Sequence, residues 1–440
     1  MAALRTVALD VIESGLEAID PLSAVARTVK LDGTTLKVAG RRYELDAVRH
    51  VIVLGAGKAS LRVAEGVEAV LGDRISKGVV VVRRGQERPL QRIKVLASDH
   101  PLPSEASVEA ARQLLTLADE AGADDLIISA VTGGSSALAC YPPEGVTLVE
   151  VRDLHRRLLG CGATIEEINT VRKHVSQIKG GRLARRAAPA RIINLTVSDV
   201  AGDSPEYITD LTVQNSTSVE DARDVLNRHR LWDEIAPSIR EHLRHPERAQ
   251  LPDVSDVDIH TVMMVTGETA CVAMSQRARK AGYEPVVLST TLEGESREVG
   301  RLLAGLAREC MRKARPFRPP CVLIGCGGET TVTLRLESDV FGTGGPNQEA
   351  ALASAIRFER DDLVAAVYID TDGSDGGTAF AGALVDGLSS SRAKKSRIDL
   401  RDALLAHRSS TVLKQLDDLV VTGPTQTNVN DMFAIVIGKP

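Results

Sequence analysis

Aromatic residues are scarce in this chain of 440 residues, at 2% of the sequence. Proteins that bind single-stranded nucleic acid without sequence preference need aromatic rings on which bases stack, and positive charge to attract phosphates. Excess positive charge is lacking as well, because the formal net charge is -5 at pH 7. We therefore expect no nucleic-acid partner.

Long apolar runs are also missing. Charge or glycine interrupts each run before it approaches the roughly 20 residues that a membrane-spanning helix requires. The N-terminal segment carries Asp10, Glu13 and Glu17 and is typical of an amphipathic helix, not of a secretion signal. The sequence therefore predicts a cytoplasmic protein without a membrane partner, and it leaves a homodimer open.

Paired cysteines are absent too. The six cysteines are scattered, with no Cys-x-x-Cys pair and no histidine at zinc-ligand spacing. Free cysteine is among the most often buried residue types. We expect reduced cysteines in the core.

Short β-branched runs alternate with longer helical segments along the chain, for example HVIVL (50–54), GVVVV (78–82), LIISAV (126–131) and IINLTVS (192–198). This alternation predicts an α/β fold with mainly parallel or mixed sheets wrapped by helices. The length exceeds what one hydrophobic core usually supports. We expect a Rossmann-like N-terminal domain (residues 1–250), a C-terminal α/β domain (251–440) and a cleft between them.

A glycine turn follows the first buried strand and contains Gly55, Gly57, Lys58 and Ser60. A helix that starts after such a turn offers backbone N–H groups and a positive dipole end to an anion. The turn is therefore a candidate phosphate site. It matches no complete nucleotide-binding fingerprint, so glycine used only for packing stays an alternative.

A second glycine turn follows the strand LIISAV and contains Gly133, Gly134, Ser135 and Ser136. Two such turns on one sheet favour phosphate binding over packing alone.

A polar stripe occupies the segment INTVRKHVSQIKGGRLA, for which the spacing predicts a helix of about 15 residues. Asn169, Arg172, Ser176 and Lys179 fall on one face, opposite an apolar one. A solvated face is the alternative interpretation. Because the stripe holds donors and no acid, we expect it to bind the carboxylate or phosphate of a substrate.

Acidic residues follow several strands, where open α/β sheets bind their ligands. Asp199 and Asp203 follow one strand, Glu329 another and Asp372 a third. Carboxylates suit Mg²⁺, although each acid could also serve a turn. The final strand is preceded by Asn428 and Asn430, which could recognise a polyol or cap a turn.

Together these segments resemble the glycerate 2-kinase family, whose members were often labelled hydroxypyruvate reductases. The matching segments span most of the chain and include GAGKAS (55–60), SDHPLPSEAS (98–107), TGGSSAL (132–138), NTVRKHVSQIKGGRLA (169–184), SDVAGD (198–203), GGETTV (327–332), DTDGSDGGT (370–378) and TGPTQTNVND (422–431). The resemblance implies phosphorylation of glycerate at its 2-hydroxyl, with ATP and Mg²⁺ as cofactors, and it places Lys58 near the transferring phosphate.

On this basis we expect Lys58 and Asp199 to be catalytic, with Asp199 orienting the nucleophilic hydroxyl. The metal ligands would be Asp203, Glu329 and Asp372. Phosphates would lie on the two glycine turns. The substrate would lie on the polar stripe and the two asparagines.

The chain departs from the family pattern inside several motifs. Where the family typically reads Gly-Gly-Arg-Asn-Gln-Glu, Pro346 takes the place of the arginine, and a proline has no side-chain donor. Where the family reads Ser-Gly-Pro-Thr, this chain reads Thr209, Asp210, Leu211 and Thr212. If kinase activity persists, another basic residue must replace the arginine, and the nearest along the chain are Arg297 and Arg335.

Two other functions therefore stay open. The loss of the arginine favours a divergent member with non-kinase chemistry, or with simple binding of a polar metabolite. Arg83 and Arg84, at the end of the second strand, would suit the phosphate of NADP in a hydroxypyruvate reductase.

Overall fold

The computed structural model describes residues 1–198, 200, 202–208, 210–334 and 342–439. Its strands are β1 (Val29–Asp32), β2 (Thr35–Val38), β3 (Arg41–Glu44), β4 (Val51–Ala56), β5 (Ile75–Arg83), β6 (Lys94–Ser98), β7 (Leu126–Ser129), β8 (Arg191–Val197), β9 (Ile259–Val265), β10 (Glu284–Ser289), β11 (Gly294–Glu295), β12 (Cys321–Cys326), β13 (Thr330–Thr331), β14 (Val364–Asp370), β15 (Gly382–Asp386), β16 (Leu419–Val420) and β17 (Asp431–Ile437).

The α-helices are α1 (Ala2–Ala18), α2 (Pro21–Thr28), α3 (Ser60–Leu71), α4 (Glu105–Asp119), α5 (Ser135–Leu138), α6 (Leu148–Gly160), α7 (Ile165–His174), α8 (Arg182–Ala187), α9 (Pro205–Ile208), α10 (Val219–Arg228), α11 (Pro237–Arg244), α12 (Pro246–Ala249), α13 (Gly267–Lys280), α14 (Ser296–Lys313), α15 (Pro346–Arg357), α16 (Ser389–Lys395), α17 (Leu400–Leu405) and α18 (Ser409–Gln415).

The first large sheet has the strand order β6-β5-β4-β7-β8-β9. The pairs β5/β6, β4/β5, β4/β7 and β7/β8 are parallel. β4 and β7 are buried along their whole length, as expected for a sheet covered on both faces. Because β4 and β7 are parallel neighbours, the glycine turns that follow them lie side by side.

The second large sheet is mixed and has the order β10-β12-β17-β14-β15-β16. β10 and β12 are parallel, whereas β17 runs antiparallel to both β12 and β14. Helices α13, α14 and α15 pack around it. A small antiparallel sheet, β1-β2-β3, precedes the first large sheet in the chain, and β11 pairs with β13. The predicted α/β fold with parallel and mixed sheets is confirmed.

The chain divides into two compact units. The N unit comprises the described residues within Pro21–Ser198 and Asp203–Met264, and the C unit comprises those within 1–20, 199–202 and 265–440. This division differs from the predicted domains (1–250 and 251–440) because β9 is the edge strand of the first sheet. Its side chains Ile259, Val262 and Met264 pack on the cores of that sheet. The predicted cleft stays a prediction.

The N-terminal helix α1 is the second difference, since it belongs to the C unit. Its apolar face packs against α13 and β17. The approach is so close that a Cβ at Gly15 would lie 2.9 Å from Met274 and from Met432. Arg5 on the same helix pairs with Asp386 at 2.7 Å and with Asp418 at 2.9 Å.

The described helices include none that is both long enough and apolar enough to span a bilayer. All six cysteines are unpaired, and five of them are buried. The cysteines thus pack in the cores, as the sequence predicts.

Candidate functional site

The two glycine turns are joined by main-chain hydrogen bonds. The amide of Lys58 donates to the carbonyl of Gly133 at 2.8 Å, and the amide of Ala59 donates to the hydroxyl of Thr132 at 3.2 Å. The preceding amide, that of Gly57, donates to a carbonyl of β5. These three N–H groups, which precede α3, are therefore occupied within the protein.

Three of the predicted phosphate-binding residues are closely packed. A Cβ at Gly55 would lie 2.5 Å from the carbonyl oxygen of Ala130, and one at Gly57 would lie 2.1 Å from the hydroxyl of Thr132. Ser60 is fully buried and donates its hydroxyl to Ala130 at 2.6 Å. These contacts match the packing alternative for Gly55, Gly57 and Ser60, and a phosphate contact at these residues stays a prediction.

The second turn is more open. Gly133, Gly134 and Ser136 are half-buried, whereas Ser135 is buried. Gly134 has a φ of 88° and precedes the single helical turn α5. Within the described part of the chain, the amides of Gly133 and Gly134 donate to no acceptor. This turn therefore offers the donors that the first turn lacks.

Lys58 lies against the second turn. A Cβ at Gly134 would lie 3.3 Å from Cγ of Lys58 and 3.4 Å from the ring of His100. Lys58 and His100 are both half-buried. His100 lies in the segment SDHPLPSEAS, but the sequence does not predict it as a site residue, because a single histidine carries no spacing signal.

The predicted 15-residue helix is shorter in the structure. α7 ends at His174, and Val175 leaves helical geometry with φ of -110° and ψ of 49°. The hydroxyl of Ser176 then accepts the amides of Ile178 and Lys179, both at 3.3 Å, and this turn replaces the next helical one. Ser176 and Lys179 are therefore not on a helical stripe, and the prediction of one continuous face is wrong.

Lys179 and Arg172 nevertheless come together, in the interior of the N unit. They form a buried cationic cluster with three further residues: His155, Cys140 and Asp210. Each of the five side chains is at most 7% exposed. The sequence analysis singled out the two cations, but His155 and Cys140 carried no pattern and Asp210 was noted only as a departure from the family.

Burial dominates the electrostatics of this cluster. It lowers the pKa of Arg172 to about 10 and also lowers the pKa of Lys179, while the charge of Asp210 acts in the opposite direction on both. Burial, then the charges of Arg172 and Lys179, hold the pKa of His155 well below its usual range, so this imidazole is neutral at pH 7. Burial likewise raises the pKa of Cys140, which keeps its thiol protonated.

The cluster, and Asn169 one turn before Arg172 on α7, contain polar atoms without partners. Lys179 donates to the carbonyl of Ala139 at 3.3 Å. Nε of Arg172, Nδ1 of His155 and Oδ1 of Asn169 are buried and have no hydrogen-bond partner among the described residues. Because buried polar groups are normally paired, these atoms indicate a place where polar ligand atoms would bind.

The predicted metal ligands lie in two different units. Asp203 in the N unit and Glu329 in the C unit are exposed, and Asp372 is half-buried with an oxygen that accepts the amide of Ser374 at 2.9 Å. Over the described ranges, no three His, Cys, Asp or Glu side chains are arranged to hold a metal ion. Asp199 lies outside the described residues.

The two predicted substrate asparagines lie in the C unit and form a turn. Oδ1 of Asn428 accepts the amide of Asn430 at 3.2 Å, and Asn430 has a φ of 62°. The carbonyl of Asn430 accepts the hydroxyl of Thr371 at 2.8 Å. These contacts match the capped-turn alternative.

Pro346 is the first residue of α15, a position that suits proline because its missing N–H is not needed there. The carboxylate of Asp375 accepts the next two amides, from Asn347 at 3.0 Å and Gln348 at 2.9 Å. Asp375 thus occupies this helix N-terminus. Burial raises its pKa to about 6.

Asp431 is linked to Asp375 by Asn347, whose side-chain amide donates to Asp375 at 3.3 Å and to Asp431 at 2.5 Å. Thr330 donates its amide and its hydroxyl to the other oxygen of Asp431, both at 2.8 Å. Burial, and then the charge of Asp375, raise the pKa of Asp431 to about 7. No sequence pattern pairs Asp375 with Asp431, because the two acids lie on different elements.

Of the two basic candidates for the place of the family arginine, the structure describes Arg297. Arg297 pairs with Glu295 at 3.4 Å and with Glu298 at 3.6 Å, and its charge acts on Glu349, in the first turn of α15. Arg335 lies outside the described residues.

Comparison with known proteins gives the family. Residues 7–244 match the model of a domain of unknown function (DUF4147), and residues 321–431 match the MOFRL family. A glycerate 2-kinase of Pyrococcus horikoshii is 37% identical over 99% of this chain and 98% of its own. A protein of Agrobacterium vitis, provisionally named a hydroxypyruvate reductase, is 42% identical over 88% of this chain and 99% of its own.

The fold agrees. The crystal structure of a glycerate kinase from Thermotoga maritima matches with a TM-score of 0.84 over 99% of this chain and 100% of that chain, at 34% identity. The chain therefore belongs to the glycerate 2-kinase family.

Proposed function

We propose that the protein is a kinase that transfers a phosphoryl group from ATP to the 2-hydroxyl of glycerate or a closely related hydroxy acid. Relatives named as glycerate kinases align with the whole chain. The observation that carries the proposal is the spacing within the N unit. Lys58 lies beside Gly134 at the start of α5, and Lys179 donates to Ala139 directly after α5. A helix of this length spans about 6 Å, so a phosphate and a carboxylate of one small substrate could be held at its two ends.

The residues have distinct roles in this proposal. Lys58 and the amides of Gly133 and Gly134 neutralise and orient the transferring phosphoryl group. Arg172 and Lys179 hold the substrate carboxylate. Such positioning and charge neutralisation is most of what phosphoryl transfer requires. Asp199 stays the proposed residue that orients the 2-hydroxyl.

Mg²⁺ fits the chemistry of the acids that follow the strands. Mg²⁺ keeps several waters and takes one or two carboxylates beside the phosphates of its nucleotide, so a three-ligand protein site is not required. We propose that it enters with ATP and contacts one or two of Asp203, Glu329 and Asp372. Bound there, it would neutralise phosphate charge. We also propose a cytoplasmic location, with small molecules as partners.

The reductase alternative has one relative in its favour, the provisionally named Agrobacterium protein. Of the two arginines that support the reductase alternative, Arg84 already forms an ion pair. It donates to both oxygens of Asp99, at 3.0 and 3.2 Å. An arginine paired in this way is a poor ligand for the phosphate of NADP.

A coupled assay tests these functions against each other. We expect ADP release with ATP, Mg²⁺ and glycerate, and a phosphorylated product whose ³¹P signal couples to the proton on carbon 2. Oxidation of NADPH by hydroxypyruvate without ADP release would instead support the reductase. Release of ADP with neither acid, but with another hydroxy acid from a metabolite library, would identify a changed substrate.

A further inference from the structure

We propose that Lys173 is a positioning residue, whose buried ion pair with Glu206 fixes the rotation of α7 about its axis and thereby directs Arg172 toward the carboxylate of the substrate. The proposal deepens the proposed function, on which it rests, because Arg172 is one of the residues that would hold that carboxylate. Lys173 follows Arg172 directly in sequence but lies outside the predicted polar stripe.

Lys173 is completely buried, at 0% exposure. Its Nζ donates to Oε1 of Glu206 at 3.0 Å and lies 4.6 Å from the centre of the Tyr207 ring. Lys173 belongs to α7, whereas Glu206 and Tyr207 belong to α9. A charged amine therefore joins these two helices in the interior of the N unit.

Glu206 is held on its other side by Ser216. Its Oε1 accepts the amide of Ser216 at 3.2 Å, and its Oε2 accepts the hydroxyl of the same residue at 2.9 Å. The carboxylate thus has a fixed place, and a rotation of α7 would break its bond to Lys173.

Stability alone does not explain a buried ion pair. The cost of removing both charges from water often cancels their attraction, and apolar replacements are frequently as stable. The best-attested use of such a pair is to fix how two elements are aligned. The apolar side of α7, with Ile168 and Val171, packs in a cluster shared with α6 and α10. Because apolar packing tolerates rearrangement, a directional ion pair is what specifies one rotation of α7.

The direction of Arg172 depends on that rotation. Consecutive helical residues point about 100° apart, so holding Lys173 against α9 also sets the direction of Arg172. Arg172 is 7% exposed, and its Nε has no hydrogen-bond partner among the described residues. Asn169 lies one turn earlier on the same face of α7, and its Oδ1 is likewise buried without a described partner. The ion pair therefore fixes where both of these polar groups point.

Calorimetric titration with D-glycerate and steady-state kinetics test the proposal. Lys173→Met keeps the aliphatic stem and removes the ammonium group. The dissociation constant for D-glycerate should rise on the order of tenfold to a hundredfold, because a misplacement of about 1 Å can cost that much. KM for glycerate should rise with it. KM for ATP should stay unchanged, since Lys58 and the second glycine turn lie on other elements.

A double variant separates positioning from charge and stability. Lys173→Met combined with Glu206→Gln removes one charge of each sign, so the net charge of the protein is unchanged. No buried charge of this pair remains unpaired, and the melting temperature should return toward that of the parent. The affinity for D-glycerate should stay reduced, because no ion pair fixes α7. Lys77→Met breaks an exposed pair with Glu120 in the same unit and should change neither constant.

Each outcome decides one question. Parent-like affinity for D-glycerate in Lys173→Met or in the double variant would overturn the proposal, as would equal increases in KM for glycerate and for ATP. Failure of the parent to bind D-glycerate would overturn it too. Reduced affinity in both variants, with no ADP release by the parent, would contradict the kinase function alone. ADP release by the parent, with unchanged affinity in the variants, would contradict the positioning role alone.

Discussion

The side chain of Lys58 packs against a glycine, Gly134. A Cβ at Gly134 would lie 3.3 Å from Cγ of the lysine, so a larger residue there would displace the lysine stem. The main chain of Lys58 is fixed as well, by the 2.8 Å bond to Gly133. The bonds between the two turns therefore hold the aliphatic stem of Lys58 against the second glycine turn.

Replacing Lys58 should damage catalysis and spare the fold. In Lys58→Met the aliphatic stem is kept, and kcat for glycerate phosphorylation should fall about 10²- to 10³-fold, as for other groups that stabilise transition-state charge. The melting temperature should change little. Lys37→Met removes an exposed lysine of β2 and should leave kcat unchanged. Near-normal turnover in Lys58→Met would contradict the proposed role.

At this scale the binding role predicted for Arg172 and Lys179 stays a prediction, whereas the helical pattern behind it is wrong. Arg172 and Lys179 were chosen because their segment lacks acids, and the structure buries both in one cluster. The helical stripe that suggested them ends at His174. Gly55 and Gly57 were indistinguishable from phosphate-binding glycines, because spacing alone does not show that Ala130 and Thr132 lie against them.

The start of α15 is the element in which this chain departs most clearly from its family. Asp375 caps the amides of Asn347 and Gln348, and Pro346 occupies the first helical position. The helix start is therefore well formed without the family arginine. Only the side-chain charge at position 346 is missing.

Restoring that charge should increase kinase activity. Pro346→Arg should raise kcat on the order of tenfold or more, because a guanidinium near the transferring group stabilises its charge. Loss of the proline should cost about 0.4–1 kcal/mol of stability. Pro237→Arg is the matched control, since Pro237 also begins a helix, in the N unit. A folded Pro346→Arg protein no faster than its parent would show that the arginine is not what limits this chain.

Asp375 and Asp431, which Asn347 joins, should make the free energy of unfolding fall as the pH rises. Their folded pKa values of about 6 and about 7 exceed the ordinary value of 3.8. Protons are thus held more tightly in the folded state, and the associated stability, complete below pH 3.8, is lost as the pH passes 6 and 7. Between pH 5 and 8 the parent should lose about 1–3 kcal/mol relative to Asp431→Asn.

Urea unfolding of the two proteins at several pH values measures this difference. The buried histidines His155 and His174 act in the opposite sense, because their folded pKa values are lowered, but they cancel when the two proteins are compared. Asp361→Asn changes an exposed acid and should show no such trend. A pH-independent difference between parent and Asp431→Asn would contradict the raised pKa values.

Among the elements, buried strands were the easiest to predict. β4, β5, β7 and β8 all coincide with β-branched runs, since burial on both faces demands continuous apolar sequence. The end of α7 was missed, because the hydroxyl of Ser176 forms a turn where helical spacing would continue. A local side-chain bond of this kind leaves no mark on hydrophobic periodicity.

At the scale of the whole molecule, the first 20 residues of the chain belong to the unit that is formed mainly by its C-terminal part. Two α/β bodies follow from chain length and from the repeated alternation of strands and helices. The assignment of α1 to the C unit does not, because an amphipathic helix can cover any apolar surface. Only contacts such as Gly15 with Met274 and Met432 show which sheet it covers.

The assignment of α1 to the C unit predicts which unit a mutation in α1 will destabilise. Arg5 pairs with Asp386 and Asp418, which are 0% and 1% exposed in their side chains, and Arg392 is their other basic partner. Arg5→Met should cost about 1–3 kcal/mol, since both carboxylates lose a charged donor while one cation remains.

The loss of stability in Arg5→Met should be confined to the C unit. Hydrogen exchange in Arg5→Met should accelerate in β15 and α16, which carry Asp386 and Arg392, and should stay unchanged in β4 and β7 of the N unit. Arg41→Met breaks an exposed ion pair with Asp258 in the N unit and should cost less than about 1 kcal/mol. Acceleration in β4 and β7 on mutation of Arg5 would contradict the placement of α1. Because Arg5 lies far from β15 and α16 in sequence, an effect limited to the C unit can arise only through the fold.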